Sequence, residues 1–471
     1  MVEENTKEMK GFLEKVIPEF MKKGKIPGLS IAVIQNGEVT YSKGMGARNR
    51  ERNLPATSDT LYCIGSCTKS FIALAIMQLV EEGRIKLDDP VDQYLPFELV
   101  SSEKPITIHH LLTHSSGIPS LSTAYIEDAR GLGEDTGIPW GTVSDFYRHV
   151  NGAEGELKSE PGKHFFYLNA GYSMLGHIIQ KVTKKRYDTF LTENIFDPLD
   201  MKRTTLSADE YEKDTNKMTP YLKKPNGEIL PKSLHYPIMY KDSNLFFASA
   251  AGGILSSPKE LTKYLTLYLN KGNFGEKKLL RSENIDKMLN LYIERPQQYF
   301  GKQGYGYGWN ITEDFLGYKL ISHGGSIMIS TAYLAFIPNL DIGVAMAANT
   351  SGFPYSIVVQ GIFAVLMGKE PEEAIPALKV KKKMEMLTGT YETYKGLTTA
   401  EIVKEGGLLY MEGRNQFMDV RVPLIPQDTC YDSNRFYIVS DGIKQPVRFV
   451  IHAPDKIDLY VERNLYHKVA K

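Results

Sequence analysis

The sequence predicts an α+β protein: an antiparallel sheet flanked by helices, followed by a small antiparallel β-barrel. Three observations predict it. A hairpin signal stands near the N-terminus, an apolar helix follows it, and a series of short alternating strands fills residues 385–471. Runs of strands beside longer helical patterns are the α+β signature.

In order, a helix is expected over Lys7–Lys23, ended by Pro27 and kinked or broken at Pro18. Leu29–Ile34 and Glu38–Ser42 are β-type runs flanking Gln35-Asn36-Gly37, and Asn-Gly is the strongest short-range hairpin signal. The stretch Tyr62–Gly83 follows, with Ile72, Leu74, Ala75, Ile76, Leu79 and Val80 on most faces of a helix that is therefore buried nearly all round. Gly83 stands where a left-handed C-terminal cap is wanted, which places the helix start near Ser66. After the polar Leu87–Val91 link, Thr107 reads as the N-cap of a short helix, Ile108–Thr113, closed by Ser115-Ser116-Gly117.

The aromatic run after Pro161-Gly162 breaks into Tyr167-Leu168-Asn169, with a helix expected from Gly171 to Val182. Alternation puts Tyr167 and Asn169 on one side of an extended segment. Asp200–Leu245 is charged and Lys-rich, an expected set of surface excursions over the main domain and a candidate lid or specificity region. Ser257-Pro258-Lys259-Glu260 is a capping box with proline at N1, opening a helix to about Asn270. Tyr305–Trp309 and Lys319–Ser322 read as strands leading to His323-Gly324-Gly325-Ser326, where two glycines let a second backbone or a substrate come close. Thr331–Ile337 and Ile342–Ala348 are further strands, and a helix Tyr355–Met367 closes the unit.

The composition shifts after Lys369, through Glu-Pro-Glu-Glu and Lys381-Lys382-Lys383. The expected division is a main domain 1–370, a linker 371–384 and a barrel domain 385–471. Strands are expected at Leu387–Tyr394, Thr398–Lys404, Leu408–Gly413, Phe417–Pro423, Arg435–Val439, Val447–His452, Lys456–Val461 and Leu465–Val469.

With 471 residues, 42% hydrophobic and 24% charged, the composition is that of an ordinary globular protein. Lys+Arg and Asp+Glu are both 56, and the zero net charge argues against nucleic acid and anionic membranes as partners. The N-terminus, MVEENTKEMKGF, lacks an apolar signal-type core, and no run approaches the roughly 20 apolar residues of a membrane span. Cys63, Cys67 and Cys430 cannot all pair and form no Cys-x-x-Cys, so a reducing, cytoplasmic setting is expected and a disulfide scaffold is not. His109, His110 and His114 lack a carboxylate at metal-ligand spacing, so hydrogen-bonded structural histidines are expected, with neither metal nor cofactor.

The chemistry begins at Ser66-Cys67-Thr68-Lys69. A serine hydroxyl is a poor nucleophile until a base takes its proton, and residues three apart on a helix are neighbours. Lysine acts as that base only where burial depresses its pKa, as inside an apolar helix. A tyrosine hydroxyl near such a lysine relays protons to a leaving group, and an asparagine amide holds a substrate carbonyl. Each motif alone also reads structurally, as a capping serine before a surface lysine or a loop entering a helix. Their combination decides.

With Ser66-x-x-Lys69, Tyr167-x-Asn169 and His323-Gly324-Gly325 in this order, the chain resembles the penicillin-recognising serine hydrolases. Within them it is similar to the class C β-lactamase-like group, which includes D-aminopeptidases and certain esterases. The resemblance covers roughly residues 10–370, with Ile106–Gly117 and Ala250–Glu260 as supporting phrases. It implies a β-lactamase/penicillin-binding-protein-like fold with an all-helical subdomain. Residues 385–471 resemble the lipocalin-like barrel of some archaeal serine peptidases of this family, which implies a homo-oligomer. By resemblance, Ser66 is the nucleophile, Lys69 its base and Tyr167 the proton relay. Asn169 binds the substrate amide, while Ser326, beside Gly325, supplies one oxyanion N–H and Ser66 the other.

His323 occupies the strand position where penicillin-binding members place a lysine. A mostly neutral histidine there attracts a carboxylate less than lysine does, which lowers the expectation of β-lactamase or carboxypeptidase activity. The resemblance therefore implies a serine peptidase of D-aminopeptidase type acting on small peptides through an acyl-enzyme. The alternative is a carboxylesterase using the same residues. A non-catalytic penicillin-binding-like receptor is a third reading, against which intact Ser66, Lys69 and Tyr167 speak. No Gly-x-Ser-x-Gly elbow occurs, since Gly324–Met328 lacks its last glycine.

Overall fold

The computed structural model describes residues 2–99, 104–233, 250–295, 300–415, 418–429 and 431–469. Among them the chain divides into two compact units, Thr6–Val359 and a second formed by Gln360–Lys471 with the first five residues.

Helix α1, Val2–Gly24, runs through Pro18 without a break. Proline inside a helix costs about 3 kcal/mol. Here Met9, Leu13, Val16 and Ile17 form one buried stripe, and their burial outweighs that cost. Strands β1 (Gly28–Gln35) and β2 (Glu38–Asn49) form the expected hairpin. Asn36 and Gly37 both take positive φ, 50° and 76°, as a two-residue turn of this kind requires. β2 continues well beyond Ser42 and pairs with β3 (Leu54–Pro55).

The remaining strands of the same sheet come late in the chain: β4 (Ile293–Glu294), β5 (Gln303–Tyr305), β6 (Asn310–Phe315), β7 (Tyr318–Ser326), β8 (Thr331–Ile337) and β9 (Ile342–Ala348). The nine-stranded order is β4-β5-β6-β7-β8-β9-β1-β2-β3. The N-terminal hairpin thus joins the sheet beside β9, in register from Leu29↔Ala348 to Gln35↔Ile342. One expectation fails: Tyr305–Trp309 is not one strand. β5 ends at Tyr305, Gly306 N donates to Trp309 O at 2.8 Å, and Gly308 takes φ 78°. Alternating Tyr and Gly imitate a strand, but the glycine needed for the turn breaks it. Conversely β7 runs on through His323-Gly324-Gly325-Ser326, so this motif lies within a strand.

Helix α2 (Thr68–Glu81) follows a single tight turn, Gly65–Cys67, and is buried from Thr68 to Leu79. It stops where expected, at Gly83 with φ 71°. Phe71 stacks on Tyr264 at 3.6 Å and meets Phe196 edge-on at 5.9 Å. Helices α3 (Ile108–Leu112) and α4 (Asn169–Thr183) lie together, and α4 also packs on α2. Helix α5 (Pro258–Leu269) opens as expected, with Ser257 Oγ accepting from Glu260 N at 3.2 Å, and packs on β9 and β1. Helix α6 spans Tyr355–Leu366.

In the second unit, α7 (Pro371–Ala374) and α8 (Pro376–Leu387) occupy the stretch read as a linker. Strands β10 (Gly389–Glu392), β11 (Thr399–Glu405), β12 (Leu408–Asn415), β13 (Met418–Pro426), β14 (Arg435–Ser440), β15 (Ile443–Ala453), β16 (Lys456–Val461) and β17 (Asn464–Lys468) form a closed antiparallel barrel. Tyr391↔Lys468 and Glu392↔His467 close it. Its core holds Tyr391, Leu409, Leu424, Phe436, Phe449 and Leu459, together with Met384 and Leu387 of α8.

Residues 234–245 of the Lys-rich stretch, Phe417 and Cys430 lie outside the described residues. No helix among the described residues is long and apolar enough to cross a membrane.

Candidate active site

Ser66 sits in the Gly65–Cys67 turn, and two glycines let that turn touch the sheet. A Cβ on Gly325 would lie 1.8 Å from Ile64 O and 3.0 Å from Ser66 N; one on Gly65 would lie 2.6 Å from Ser326 N. β6 accompanies β7 only as far as Ser322, opposite Asn310, so His323–Ser326 present an open strand edge there. The bond Ile327 N to Ser330 O, 3.0 Å, fixes the β7–β8 register and turns the Ser326 N–H away from β8, toward that open edge. The backbones at Ser66 and Ser326 thus come together beside one hydroxyl.

Lys69 is fully buried, and its Nζ lies within hydrogen-bond distance of three oxygens: Ser66 Oγ at 3.0 Å, Asn169 Oδ1 at 2.7 Å and Ala251 O at 2.7 Å. The Ala251 carbonyl is held in place because Ile64 N donates to Ile254 O, and Ile254 N to Thr68 Oγ1, both at 3.0 Å. Burial brings the Lys69 ammonium down to about 7, against the opposing pull of Glu127 and Cys67. A neutral amine has two N–H groups and one lone pair. The two carbonyl oxygens can only accept, so they take both N–H groups, and the lone pair is left facing Ser66 Oγ. That arrangement can remove the serine proton.

The Tyr167 ring lies 4.9 Å from Lys69 Nζ. Burial raises its hydroxyl above the usual phenol range, and a hydrogen bond with Ser66 works the other way, so it keeps its proton. Asn169 is the first residue of α4 rather than part of an extended segment, since the helix begins two residues before the expected Gly171. Its Oδ1 is bound to Lys69, and its Nδ2 stays available as a donor.

His323 is 2% exposed. Its Nδ1 donates to Gly324 O and its Nε2 accepts from Tyr305 OH, both at 2.8 Å. Burial, reinforced by Lys69, pulls it down to about 3. His323 therefore stands in the cluster as a neutral ring with both nitrogens occupied by the protein.

Sequence reasoning left His114 as a structural histidine, and the structure shows what it holds. Phe166 N donates to its carbonyl at 2.8 Å and Leu168 N to its Nδ1 at 3.0 Å, so His114 grips the chain on both sides of Tyr167. Its ring lies 4.2 Å from that of Tyr167, and its backbone adopts φ 57°. The signal lay in the Thr113–Gly117 turn, whose role depends on a segment far along the chain. His109 Nδ1 meets Tyr307 OH at 2.8 Å, and His110 Nδ1 accepts from Thr107 N at 3.1 Å. Among the described residues no group of three or more His, Cys, Asp or Glu is placed to hold a metal ion. Cys63 and Cys67 are buried thiols, Cys63 pushed up to about 12 by burial, so neither is a thiolate nucleophile.

Residues 13–358 match the family described as Beta-lactamase, and residues 371–467 that described as Pab87 octamerisation domain. The chain is similar to the octameric penicillin-binding protein homologue from Pyrococcus abyssi, at 38% identity and a TM-score of 0.86 over 97% of this chain and 99% of that one. Protein flp of Staphylococcus aureus (strain MW2) is 30% identical over 340 residues, 72% of this chain, and the chain spans 62% of flp's length. A D-stereospecific amidohydrolase from Streptomyces sp. shares the fold, at 23% identity and a TM-score of 0.60 over 73% of this chain and 97% of that one.

Proposed function

The chain belongs to the β-lactamase family of serine hydrolases, and from that premise we propose that it cleaves peptide or amide bonds through an acyl-enzyme, as a peptidase of D-aminopeptidase type. The observation that carries the proposal is the placement of Lys69 Nζ among three oxygens, two of them carbonyls that can only accept and the third Ser66 Oγ. Neutral Lys69 takes the proton of Ser66 Oγ as that oxygen attacks the substrate carbonyl. The negative oxygen so formed sits at the N–H groups of Ser66 and Ser326, donors worth several kcal/mol to such an intermediate. Asn169 Nδ2 holds the substrate amide. The proton passes from Lys69 by way of the Tyr167 hydroxyl to the leaving nitrogen, and the C–N bond breaks. Water then attacks the ester; its proton returns along the same path to Ser66 Oγ, and the acid leaves.

His323 has no charge to offer, which supports the weaker β-lactamase expectation. The preference for D-residues on the acyl side rests on the resemblance to D-aminopeptidases. Amides need a protonated leaving group more than esters do, and a tyrosine that keeps its proton beside Ser66 supports amides over the carboxylesterase reading. Matched ester and amide substrates separate the two readings: an amide rate near zero beside fast ester cleavage decides for the esterase.

The central test is Ser66→Ala on D-amino-acid amides. A fall in kcat of about 10³-fold or more is expected, and unchanged turnover overturns the assignment. The octameric relative and the matched octamerisation domain support assembly of this chain into a homo-oligomer, with eight copies as the expected number.

A further inference from the structure

The His323 ring covers part of the strand edge on which it stands. β7 loses β6 as a neighbour after Ser322, and backbone groups alternate along a strand, so those of Gly324 and Ser326 face the same open edge. The Gly324 carbonyl on that edge is taken, because His323 Nδ1 lies 2.8 Å from it. Tyr305 holds the ring there. It stands opposite Asn310, which in turn stands opposite Ser322. Since β6 begins only at Asn310, the Tyr305 side chain reaches past its start to the next residue of β7. Tyr305 is fully buried, and its hydroxyl lies 2.8 Å from His323 Nε2.

The available protons fix this arrangement. A carbonyl can only accept, so the one N–H of the neutral ring is at Nδ1, and Nε2 takes its bond from the Tyr305 hydroxyl. The opposite tautomer sets two lone pairs against each other at 2.8 Å. Burial favours the neutral form of both groups.

The covered carbonyl lies on the leaving side of the cleft. The Tyr167 ring, whose hydroxyl hands the proton to the leaving nitrogen, is 6.5 Å from the His323 ring, while Ser326 N–H receives the acyl carbonyl oxygen. Hydrogen-bonded partners in an antiparallel pair recur at every second residue. A substrate with its acyl carbonyl at Ser326 N–H therefore brings the backbone N–H two residues further on to Gly324 O. There it meets the imidazole instead.

We propose that His323, held by Tyr305 as a positioning residue, caps the Gly324 carbonyl and ends backbone pairing on the leaving side. The cleft thereby selects amides with short leaving groups: ammonia, a simple amine or a single amino acid. This inference rests on the serine-hydrolase reading of the same cleft.

The test compares D-alanyl-glycine methylamide with D-alanyl-glycine dimethylamide, whose leaving groups carry and lack that N–H. Both are assayed on the full chain and on His323→Ala, His323→Gln and Tyr305→Phe. In His323→Ala the ratio of kcat/KM, methylamide over dimethylamide, is expected to rise about 3- to 10-fold above wild type, mainly through KM, as one uncovered neutral acceptor implies. Tyr305→Phe keeps the packing of the ring and should move the ratio the same way by less. His323→Gln, whose amide N–H again covers the carbonyl, should bring it back. A wild-type ratio as high as that of His323→Ala overturns the proposal, and a ratio that Tyr305→Phe leaves unchanged removes Tyr305 from the role.

A second measurement needs no turnover: calorimetric binding of the same two compounds to full-length Ser66→Ala and to Ser66→Ala/His323→Ala. A preference for the methylamide that arises only in the double variant supports the cap; equal preference in both overturns it. If wild type hydrolyses neither compound while that difference in binding persists, the hydrolase reading fails and the cap stands.

Discussion

At Lys69 two carbonyl oxygens, from Asn169 and Ala251, decide which way the amine's lone pair points. The group must be neutral to act as a base, and its ammonium form persists below about pH 7. The expected kcat/KM therefore rises with pH through about 7 and levels off above it. A profile that falls across that window removes Lys69 from the role. Lys69→Arg, charged at every accessible pH, should lose at least about 10³-fold in kcat. His323 makes the opposite kind of prediction, on stability. The folded chain leaves it unprotonated down to about pH 3, whereas an unfolded imidazole takes a proton below about 6.5. The unfolded state then binds more protons, so stability should fall as pH drops through that window. Melting temperature against pH reads this, and His323→Gln should flatten the slope. His114 is tested by two replacements. Asn offers an oxygen to Leu168 N and tolerates φ 57°, so His114→Asn should keep most of the activity; His114→Leu should lower kcat about 10- to 100-fold with KM little changed. Equal losses in both variants would reduce His114 to a packing role.

At the level of elements, the site exists because a tight turn and a strand edge touch without side chains between them. Gly325→Ala places a methyl 1.8 Å from a backbone oxygen that has no rotamer to escape into. It should cost about 1–3 kcal/mol and a larger share of activity, because the Ser66 turn must move. Gly413→Ala meets nothing within 4 Å and serves as the control for measured melting temperature. Phe71→Ala, which removes the stack on Tyr264, should cost about 3–5 kcal/mol in denaturant unfolding. The elements themselves were largely legible. Asn36-Gly37 announced its hairpin, Ser257–Glu260 its helix, and β8 and β9 appear with the bounds expected for the two apolar runs around Pro338-Asn339. Tyr305–Trp309 was not legible, because Tyr-Gly alternation imitates a strand where a φ of 78° at Gly308 makes a turn. Nor was the continuous α1, where burial of Leu13 and Ile17 overrides Pro18.

For the molecule as a whole, the two units are each closed around their own core. The barrel has no open sheet edge, and α8 contributes Met384 and Leu387 to its interior. Zero net charge at neutral pH gives copies of this chain little reason to repel one another. Light scattering on the intact 53.1 kDa chain is expected to return about eight times that mass, and a monomer mass would overturn the assembly proposal.

What the sequence determined by itself was everything carried by short spacing: the hairpin, the caps, the barrel strands, and the order of Ser66-x-x-Lys69, Tyr167-x-Asn169 and His323-Gly-Gly. These follow from residues two to four positions apart, whose geometry the backbone alone dictates. Tertiary structure decided the chemistry. Lys69 finds Asn169 at a separation of 100 residues and Ala251 at 182, and only folding brings those oxygens to one nitrogen and strips it of water. The same burial leaves His323 uncharged. Protonation depends on solvent exclusion and through-space partners, which no local pattern of residues encodes.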